Sequence, residues 1–262
     1  MRLEVLSFGE YLQFRQLPSV KISRRADFID RLSIFRPEFR RYLAFGQLPE
    51  TALNANIEPK EYFLSTADQL INFDIPYLHT NIDRTLFTNL VKTLSAEIAN
   101  KVSINRLAAG LESSRAVLGE YVRLLEETGY FALCLNNFYR RTRAKLSAAK
   151  KIYSLNTNLS LAINGFDQSY FNDSRILGHY TENYVYMRLR EKYGGKIEFY
   201  ADGKKEIDFV TEDFLWEVKQ RPTGDINKYE EIAKKLKKPL VIVTESEMEK
   251  TRKLIKIPVY LL

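Results

Sequence analysis

Hydrophobic residues recur at helical spacing through the first part of the chain, residues 1–85. They fall three and four positions apart across 26–35 and again across 59–71, and this spacing predicts amphipathic helices. Pro37 suits the first turn of a further helix, and Gly46 is placed to end that helix. The pattern therefore predicts a helical segment over residues 1–85, interrupted by proline and glycine.

The next stretch, residues 86–150, predicts three helices followed by a hairpin. Apolar positions recur at helical spacing across 86–98, 103–111 and 114–128, and an apolar strand follows at 130–135. A helix–turn–helix followed by a hairpin is the topology of a DNA-binding winged helix, whose third helix enters the major groove. Winged helices also serve as protein-docking modules, so this pattern does not distinguish a DNA partner from a protein partner.

Beyond residue 150 the pattern changes to short apolar runs. These runs predict strands at residues 197–201, 206–211, 214–219, 238–244 and 256–262. Asp202-Gly203 is a hairpin turn signal, and an amphipathic helix at 226–236 gives a strand–helix–strand crossover. The predicted fold class is α/β, in which residues 1–85 and 86–150 precede a mixed-sheet domain at 151–262.

The composition narrows the function classes. The 262 residues are 45% hydrophobic, which suffices for two or three small domains. No apolar run has the length of a membrane span, the first residues do not resemble a signal peptide, and Cys134 has no second cysteine to pair with. We therefore expect a cytoplasmic protein without disulfides. A zinc site is not expected, because only His79 and His179 accompany that cysteine.

Basic residues outnumber acidic ones and give a net charge of +7, which favours a polyanionic partner such as DNA. The excess is marked in residues 101–150. The candidate phosphate contacts are Arg115 and Arg123 on the third helix and, on the hairpin, Arg140, Arg141, Arg143 and Lys145. Lys150 and Lys151 continue this basic stretch. Because the third helix also carries glutamates, contact with the DNA backbone is a better expectation than sequence-specific readout.

The hairpin predicted at 205–220 carries the candidate chemistry. Glu217 and Lys219 are two positions apart on one strand and therefore share a face. If Asp208 on the other strand faces the same way, two carboxylates and an ammonium converge. Hard divalent cations such as Mg²⁺ take oxygen ligands of this kind, and the lysine would stabilise charge on a phosphate. A solvated hairpin with a charged outer face remains the alternative, since short motifs arise by chance.

Glu182 lies on a predicted helix before this hairpin. The order of Glu182, Asp208 and Glu217-Val218-Lys219 resembles the PD-(D/E)XK nuclease superfamily, which has the restriction-endonuclease-like fold. The segment Lys151-Ile152-Tyr153, the helix that carries Glu182 and the segments Glu206-Ile207-Asp208-Phe209 and Trp216-Glu217-Val218-Lys219 are similar, in this order along the chain, to the C-terminal region of a prokaryotic ATPase family. Members of that family join an AAA-type P-loop domain to a winged helix and a PD-(D/E)XK-like domain. No GxxxxGK[ST] motif occurs here, so no ATP site is expected, and the chain resembles a member that begins after the ATPase domain.

The resemblance implies roles for these residues. Asp208 and Glu217 would hold Mg²⁺ together with the Val218 carbonyl. Glu182, across a water-filled gap, would bind metal through water or serve a second site. Lys219 would steady the attacking water or the transition-state charge during hydrolysis of DNA. A second interpretation is a catalytically silent module that docks on or regulates an ATPase domain or another protein, and a third is a component of a toxin–antitoxin or defence system.

Overall fold

The structure is a computed structural model. It describes residues 5–22, 24–54, 56–79, 81–139, 148–203, 205–219 and 226–262. Within these ranges, helices pack against one mixed sheet of nine strands. The predicted α/β fold class is confirmed.

The helices follow one another along the whole chain. Their bounds are α1 (Phe8–Phe14), α2 (Arg25–Phe45), α3 (Pro49–Leu53), α4 (Pro59–Gln69), α5 (Ile75–Leu78), α6 (Arg84–Ala96), α7 (Ile104–Gly110), α8 (Arg115–Glu127), α9 (Thr157–Ile163), α10 (Ser174–Tyr193) and α11 (Asn227–Leu236). A π-helical turn, Leu70–Asp74, joins α4 to α5, and 3₁₀ turns occupy Gln168–Asn172 and Val259–Leu261.

The strands of the sheet are contributed by both the middle and the last part of the chain. Their bounds are β1 (Lys101–Val102), β2 (Phe131–Asn136), β3 (Lys150–Ser154), β4 (Glu198–Asp202), β5 (Lys205–Val210), β6 (Leu215–Val218), β7 (Leu240–Thr244), β8 (Glu249–Lys250) and β9 (Leu254–Pro258). Their order across the sheet is β1-β3-β2-β4-β5-β6-β7-β9-β8. This order leaves β5 and β6 in the interior of the sheet, with neighbours on both sides.

Helix α2 differs from the prediction at Pro37, which lies inside one continuous helix rather than at the start of a second one. An internal proline removes a helical hydrogen bond at a cost of roughly 3 kcal/mol. Phe35 and Phe39, on either side of it, are buried, and burying an aromatic side chain of this size contributes about 1.5–3 kcal/mol. Burial of the aromatic face therefore holds the helix together across the proline.

The sheet continues across the boundary that the sequence places between residues 150 and 151. β3 pairs antiparallel with both β1 and β2, and β2 pairs in parallel with β4. The three helices α6, α7 and α8 pack beside these strands in a core that also includes residues of α4, α5 and α9. β3 thus belongs to the hairpin after α8 and also carries side chains toward the last part of the chain.

The last part of the chain contains the predicted antiparallel strands and the crossover. Gly203 at the β4–β5 turn has a φ of +61°, a left-handed conformation that glycine adopts readily. β5 is antiparallel to both of its neighbours, β4 and β6, and β7 lies parallel to β6 after the α11 crossover. The final strand ends earlier than predicted, because the chain turns into a 3₁₀ segment after Pro258.

The N-terminal helices pack onto the last part of the chain through aromatic side chains. Phe39 on α2 lies 5.1 Å from Tyr184 on α10 and 5.3 Å from Tyr260, measured between ring centroids. Buried polar contacts add to this packing: the Gln47 backbone N–H donates to the Asn158 side chain at 2.8 Å. Helix α2 is therefore part of the wall around the C-terminal sheet.

Among the helices in the described ranges, none is both long enough and apolar enough to cross a membrane.

Candidate active site

Asp208 and Glu217 lie side by side on the two central strands β5 and β6. The antiparallel register pairs Phe209 with Trp216 and Val210 with Leu215, which places Asp208 opposite Glu217. Residues opposite each other in an antiparallel pair share one face of the sheet. The two carboxylates and Lys219, which directly follows β6, therefore meet at one end of the hairpin.

Backbone N–H groups fix both carboxylates in place. The Val218 N–H donates to Oδ2 of Asp208 at 2.9 Å, and the Asp208 N–H lies 3.4 Å from Oε2 of Glu217. Each carboxylate is thus held by the strand that carries the other one. This reciprocal bonding restricts the rotamers of both side chains, as a site that binds an ion or a substrate requires.

Lys219 extends from this buried pair toward solvent. Its Nζ lies 2.6 Å from Oε1 of Glu217, and the side chains are 39% and 5% exposed respectively. The ammonium also lies 5.6 Å from the centre of the Tyr229 ring on α11, within range of a cation–π interaction. Lys219 is therefore oriented on its inner side and accessible to a ligand on its outer side.

Lys151 on β3 is the main participant that the sequence analysis missed. Its Nζ lies 2.9 Å from Oε1 of Glu182, 2.9 Å from Oε1 of Glu206 and 3.0 Å from Oδ1 of Asp208. The side chain is only 5% exposed, so it cannot contribute to a basic surface next to the hairpin, as its place in the sequence suggested. Burial alone would lower the pKa of Lys151, but the three carboxylates outweigh it and hold the pKa well above its usual value.

Glu182 on α10 reaches the site, although its neighbour differs from the prediction. Its Oε1 accepts hydrogen bonds from the Tyr153 hydroxyl at 2.6 Å and from Lys151 at 2.9 Å. The expected water-filled gap between Glu182 and Asp208 therefore holds the Lys151 ammonium. A buried carboxylate needs a compensating charge or hydrogen bond, and β3 supplies both from alternate residues.

A local signal for Lys151 exists in the sequence. Lys151 and Tyr153 are two positions apart on a strand and must share a face, and Tyr153 is fully buried. A lysine on the buried face of a strand requires carboxylate partners. The sequence does not indicate which carboxylates these are, because Asp208 is 57 residues away along the chain.

Burial shifts the acid–base equilibria of the site. It raises the pKa of Glu217 from 4.5 to about 8, and the charge of Asp208 adds to the shift while Lys219 opposes it. Burial likewise raises the pKa of Glu182 to about 7, again with a contribution from Asp208. Repulsion between neighbouring carboxylates of this kind is relieved by a bound cation.

Asp208 and Glu217 fit a divalent cation, whereas Glu182 does not join them. Two buried carboxylates on one face are an oxygen donor set suited to Mg²⁺, which keeps several water ligands. Across the described residues, however, no three side chains of His, Cys, Asp or Glu are arranged to hold a metal ion. The third carboxylate position is separated from the pair by Lys151, so a metal here would depend on Asp208 and Glu217.

The predicted nucleic-acid contacts lie elsewhere. Arg115 begins α8 and is exposed, with its guanidinium 3.3 Å from the Asn105 side chain. Arg123 is also exposed but pairs with Glu127 at 2.6 Å, which offsets its charge. The remaining candidates lie outside the described residues; they are Arg140, Arg141, Arg143 and Lys145.

Comparison with known protein families identifies one match. The model of a domain of unknown function, DUF8612, matches residues 36–170, which is just over half of the chain. The chain belongs to the DUF8612 family. The DUF8612 segment runs from the middle of α2 through α9 and includes Lys151, but it ends before Glu182, Asp208, Glu217 and Lys219. No curated protein and no solved structure matches the chain.

The raised pKa values predict a specific dependence of stability on pH in the absence of divalent cations. Glu182 and Glu217 bind protons more tightly in the folded chain than in the unfolded chain, where their pKa is near 4.5. Their contribution to stability is therefore complete below about pH 4.5 and is lost as the pH rises to about 8. Urea unfolding at a series of pH values should show this decline, and Glu217→Gln should flatten it. A slope that Glu217→Gln leaves unchanged would contradict the assignment.

Proposed function

We propose that the chain is a nuclease-like DNA-binding protein that hydrolyses DNA phosphodiester bonds with a divalent cation at Asp208 and Glu217. The observation that carries the proposal is the placement of these two carboxylates on one sheet face with Lys219 beside them. It agrees with the resemblance to PD-(D/E)XK nucleases in the order of the acidic residues and the lysine. The mixed sheet with its strand–helix–strand crossover supports it further.

Each residue of the site would have its own role in the hydrolysis of the phosphodiester bond. A bound Mg²⁺ would polarise the phosphate and lower the pKa of a coordinated water. Asp208 and Glu217 would hold that ion, and the hydrogen bonds from the strand backbone would keep their oxygens in position. Lys219, oriented by Glu217 and the Tyr229 ring, would stabilise negative charge on the phosphate in the transition state. Glu182, held by Lys151 and Tyr153, would act as a positioning residue.

The DNA would be held mainly by its backbone. The net charge of +7 and the exposed Arg115 at the start of α8 support contacts to phosphates, which carry no sequence information. We place the protein in the cytoplasm, as the C-terminal part of an AAA-type ATPase or as the partner of one. The continuous sheet shared by the helical middle part and the nuclease-like part supports a single unit for DNA binding and cleavage.

A second candidate function is a catalytically silent docking or regulatory module. The observation that favours it is the Lys151 ammonium, which pairs with both Asp208 and Glu182. A site whose negative charge is partly balanced by a lysine of the same chain has less need of a metal ion. The carboxylates would then serve the fold, and the surface of the protein would carry its function.

A cleavage assay distinguishes these candidates. Purified protein with Mg²⁺ or Mn²⁺ should nick or degrade labelled single-stranded or duplex DNA, and Asp208→Asn should abolish this activity by removing the charge that binds the ion. Glu230→Gln, a change on the exposed face of α11, provides a control of equal charge change. Cleavage that survives Asp208→Asn would point to a contaminating nuclease, and a wild-type protein that cleaves no form of DNA would favour the silent module.

A further inference from the structure

A cavity of about 200 Å³ lies directly beside Lys219 and outside the carboxylate cluster. Its walls come from parts of the chain that are far apart in sequence: helix α2, the first turns of α10, the end of β7 and the C-terminal turn. Buried aromatic side chains, Phe39, Phe171 and Tyr260, form its inner surface. The cavity therefore exists only because the N-terminal helix packs onto the C-terminal sheet.

The charged groups of this cavity are mostly positive. Arg36, Arg40 and Lys219 line it, against one carboxylate, Glu245. Arg36 and Glu245 neutralise each other, since Nε and Nη2 of the arginine each lie 3.0 Å from an oxygen of the glutamate. This leaves Arg40 as the cation of the cavity without a carboxylate partner, beside Lys219, whose ammonium pairs with Glu217 and is exposed on its other side.

Arg40 is one helical turn beyond Arg36 on the same face of α2, and it is partly buried. Within the described part of the chain it makes no ion pair with a carboxylate. A guanidinium in a half-buried wall, without a carboxylate partner, provides planar paired donors suited to phosphate oxygens. The side chains of Ser174 and Asn172 also line the cavity and offer further hydrogen bonds.

The size of the cavity favours a terminal phosphate group over a phosphate inside a continuous strand. A half-enclosed pocket of about 200 Å³, lined on its inner side by buried aromatic residues, admits the end of a strand but not a continuous duplex. A phosphate monoester at a strand end carries about −1.5 to −2 charges near pH 7, more than an internal diester. Two cations in a small, half-enclosed site therefore favour the terminal group by both charge and shape.

We propose that this cavity binds the terminal phosphate of a nucleic-acid strand between Arg40 and Lys219. The inference rests on the proposed nuclease function, because the cavity opens beside the lysine assigned to catalysis. It adds a substrate class: strands that end in a phosphate monoester, held so that the bond to be cleaved lies near the end. Helix α2 thereby becomes part of the substrate site.

Fluorescence anisotropy in EDTA tests this binding separately from cleavage. The probes are short labelled DNA strands with a 5′-phosphate, a 3′-phosphate or hydroxyl groups at both ends. One of the phosphorylated strands should bind about tenfold more tightly than the hydroxyl strand, the effect of roughly one charge-assisted contact. Inorganic phosphate should compete away this advantage. Equal affinity for all three strands would overturn the inference.

Arg40→Gln should remove the preference for the phosphorylated strand, whereas Arg41→Gln should keep it. The two arginines are neighbours on α2 and change the net charge equally, but only Arg40 lines the cavity. Arg40→Lys retains a cation and should keep part of the preference, which guards against a folding defect in the glutamine variant. A preference that persists in Arg40→Gln would overturn the inference.

Cleavage assays in Mn²⁺ separate this inference from the proposed function. Cleavage without any effect of the terminal phosphate on binding would count against the cavity and leave the nuclease proposal intact. A terminal-phosphate preference that depends on Arg40, in a protein that does not cleave DNA, would support the cavity and count against the nuclease.

Discussion

Replacing Lys151 with methionine is expected to lower the free energy of unfolding by about 3–5 kcal/mol, because it leaves buried carboxylates without their partner. Lys151 contacts Glu182, Glu206 and Asp208, all within 3.0 Å. Methionine preserves much of the side-chain volume, so the loss of stability reflects the missing charge rather than a change in packing. Urea unfolding near neutral pH in EDTA measures the effect.

Lys101→Met is the matched control for this change. Lys101 pairs with Glu206, one of the same carboxylates, but its side chain is 38% exposed, and ion pairs near the surface contribute about 0–1 kcal/mol. Glu182→Gln in the Lys151→Met background should recover part of the lost stability, since it removes one unpaired charge. Equal effects of Lys151→Met and Lys101→Met would show that the buried network does not hold the site together.

Replacing Lys219 with alanine is expected to slow DNA cleavage on the order of a hundredfold or more, because it removes charge stabilisation in the transition state. Folding should change little, since the Lys219 side chain is 39% exposed and Glu217 retains its hydrogen bond to the Asp208 backbone. The decisive comparison is the cleavage rate under single-turnover conditions with saturating protein, which separates chemistry from DNA affinity.

Lys250→Ala controls for the loss of one positive charge. Lys250 lies on the exposed edge strand β8, so its removal should leave the cleavage rate unchanged. If Lys219→Ala cleaves as fast as wild type and as fast as Lys250→Ala, the lysine has no catalytic role. A parallel loss of DNA binding and cleavage would instead assign Lys219 to substrate affinity alone.

The strand pattern around the site was predictable because it is local. Alternation along β5 and β6 and the intervening turn are encoded within the predicted hairpin 205–220, and this spacing alone predicts that Glu217 and Lys219 share a face. The Asp202-Gly203 turn was likewise predictable, because its conformation depends on the glycine itself. The β4–β5 pairing confirms that turn.

The partners of the site were not predictable from local pattern. Lys151 meets Asp208 through the position of β3 in the sheet, and nothing in the sequence around either residue specifies that pairing. The same holds for α2: its spacing predicts a buried face, but contacts such as Phe39 with Tyr184 depend on how distant segments pack. Pro37 is misleading for the same reason: a proline favours the start of a helix, but burial of the aromatic side chains on both sides of it keeps α2 continuous.

The ion pairs that Lys151 makes with the carboxylates are compatible with either candidate function. If Lys151 serves to organise Asp208 and Glu182 while Asp208 and Glu217 remain able to bind an ion, the site can support hydrolysis. If the lysine satisfies the carboxylates completely, the same residues serve only the fold. Metal affinity at Asp208 and Glu217 is the property that separates these outcomes.

Calorimetric titration of the metal-free protein with Mn²⁺ tests this property most directly. The proposed site predicts saturable binding that is lost in both Asp208→Asn and Glu217→Gln and is retained in Glu230→Gln. Absence of saturable binding in the wild-type protein, or binding that both site variants retain, would contradict the assignment of Asp208 and Glu217 as a metal site.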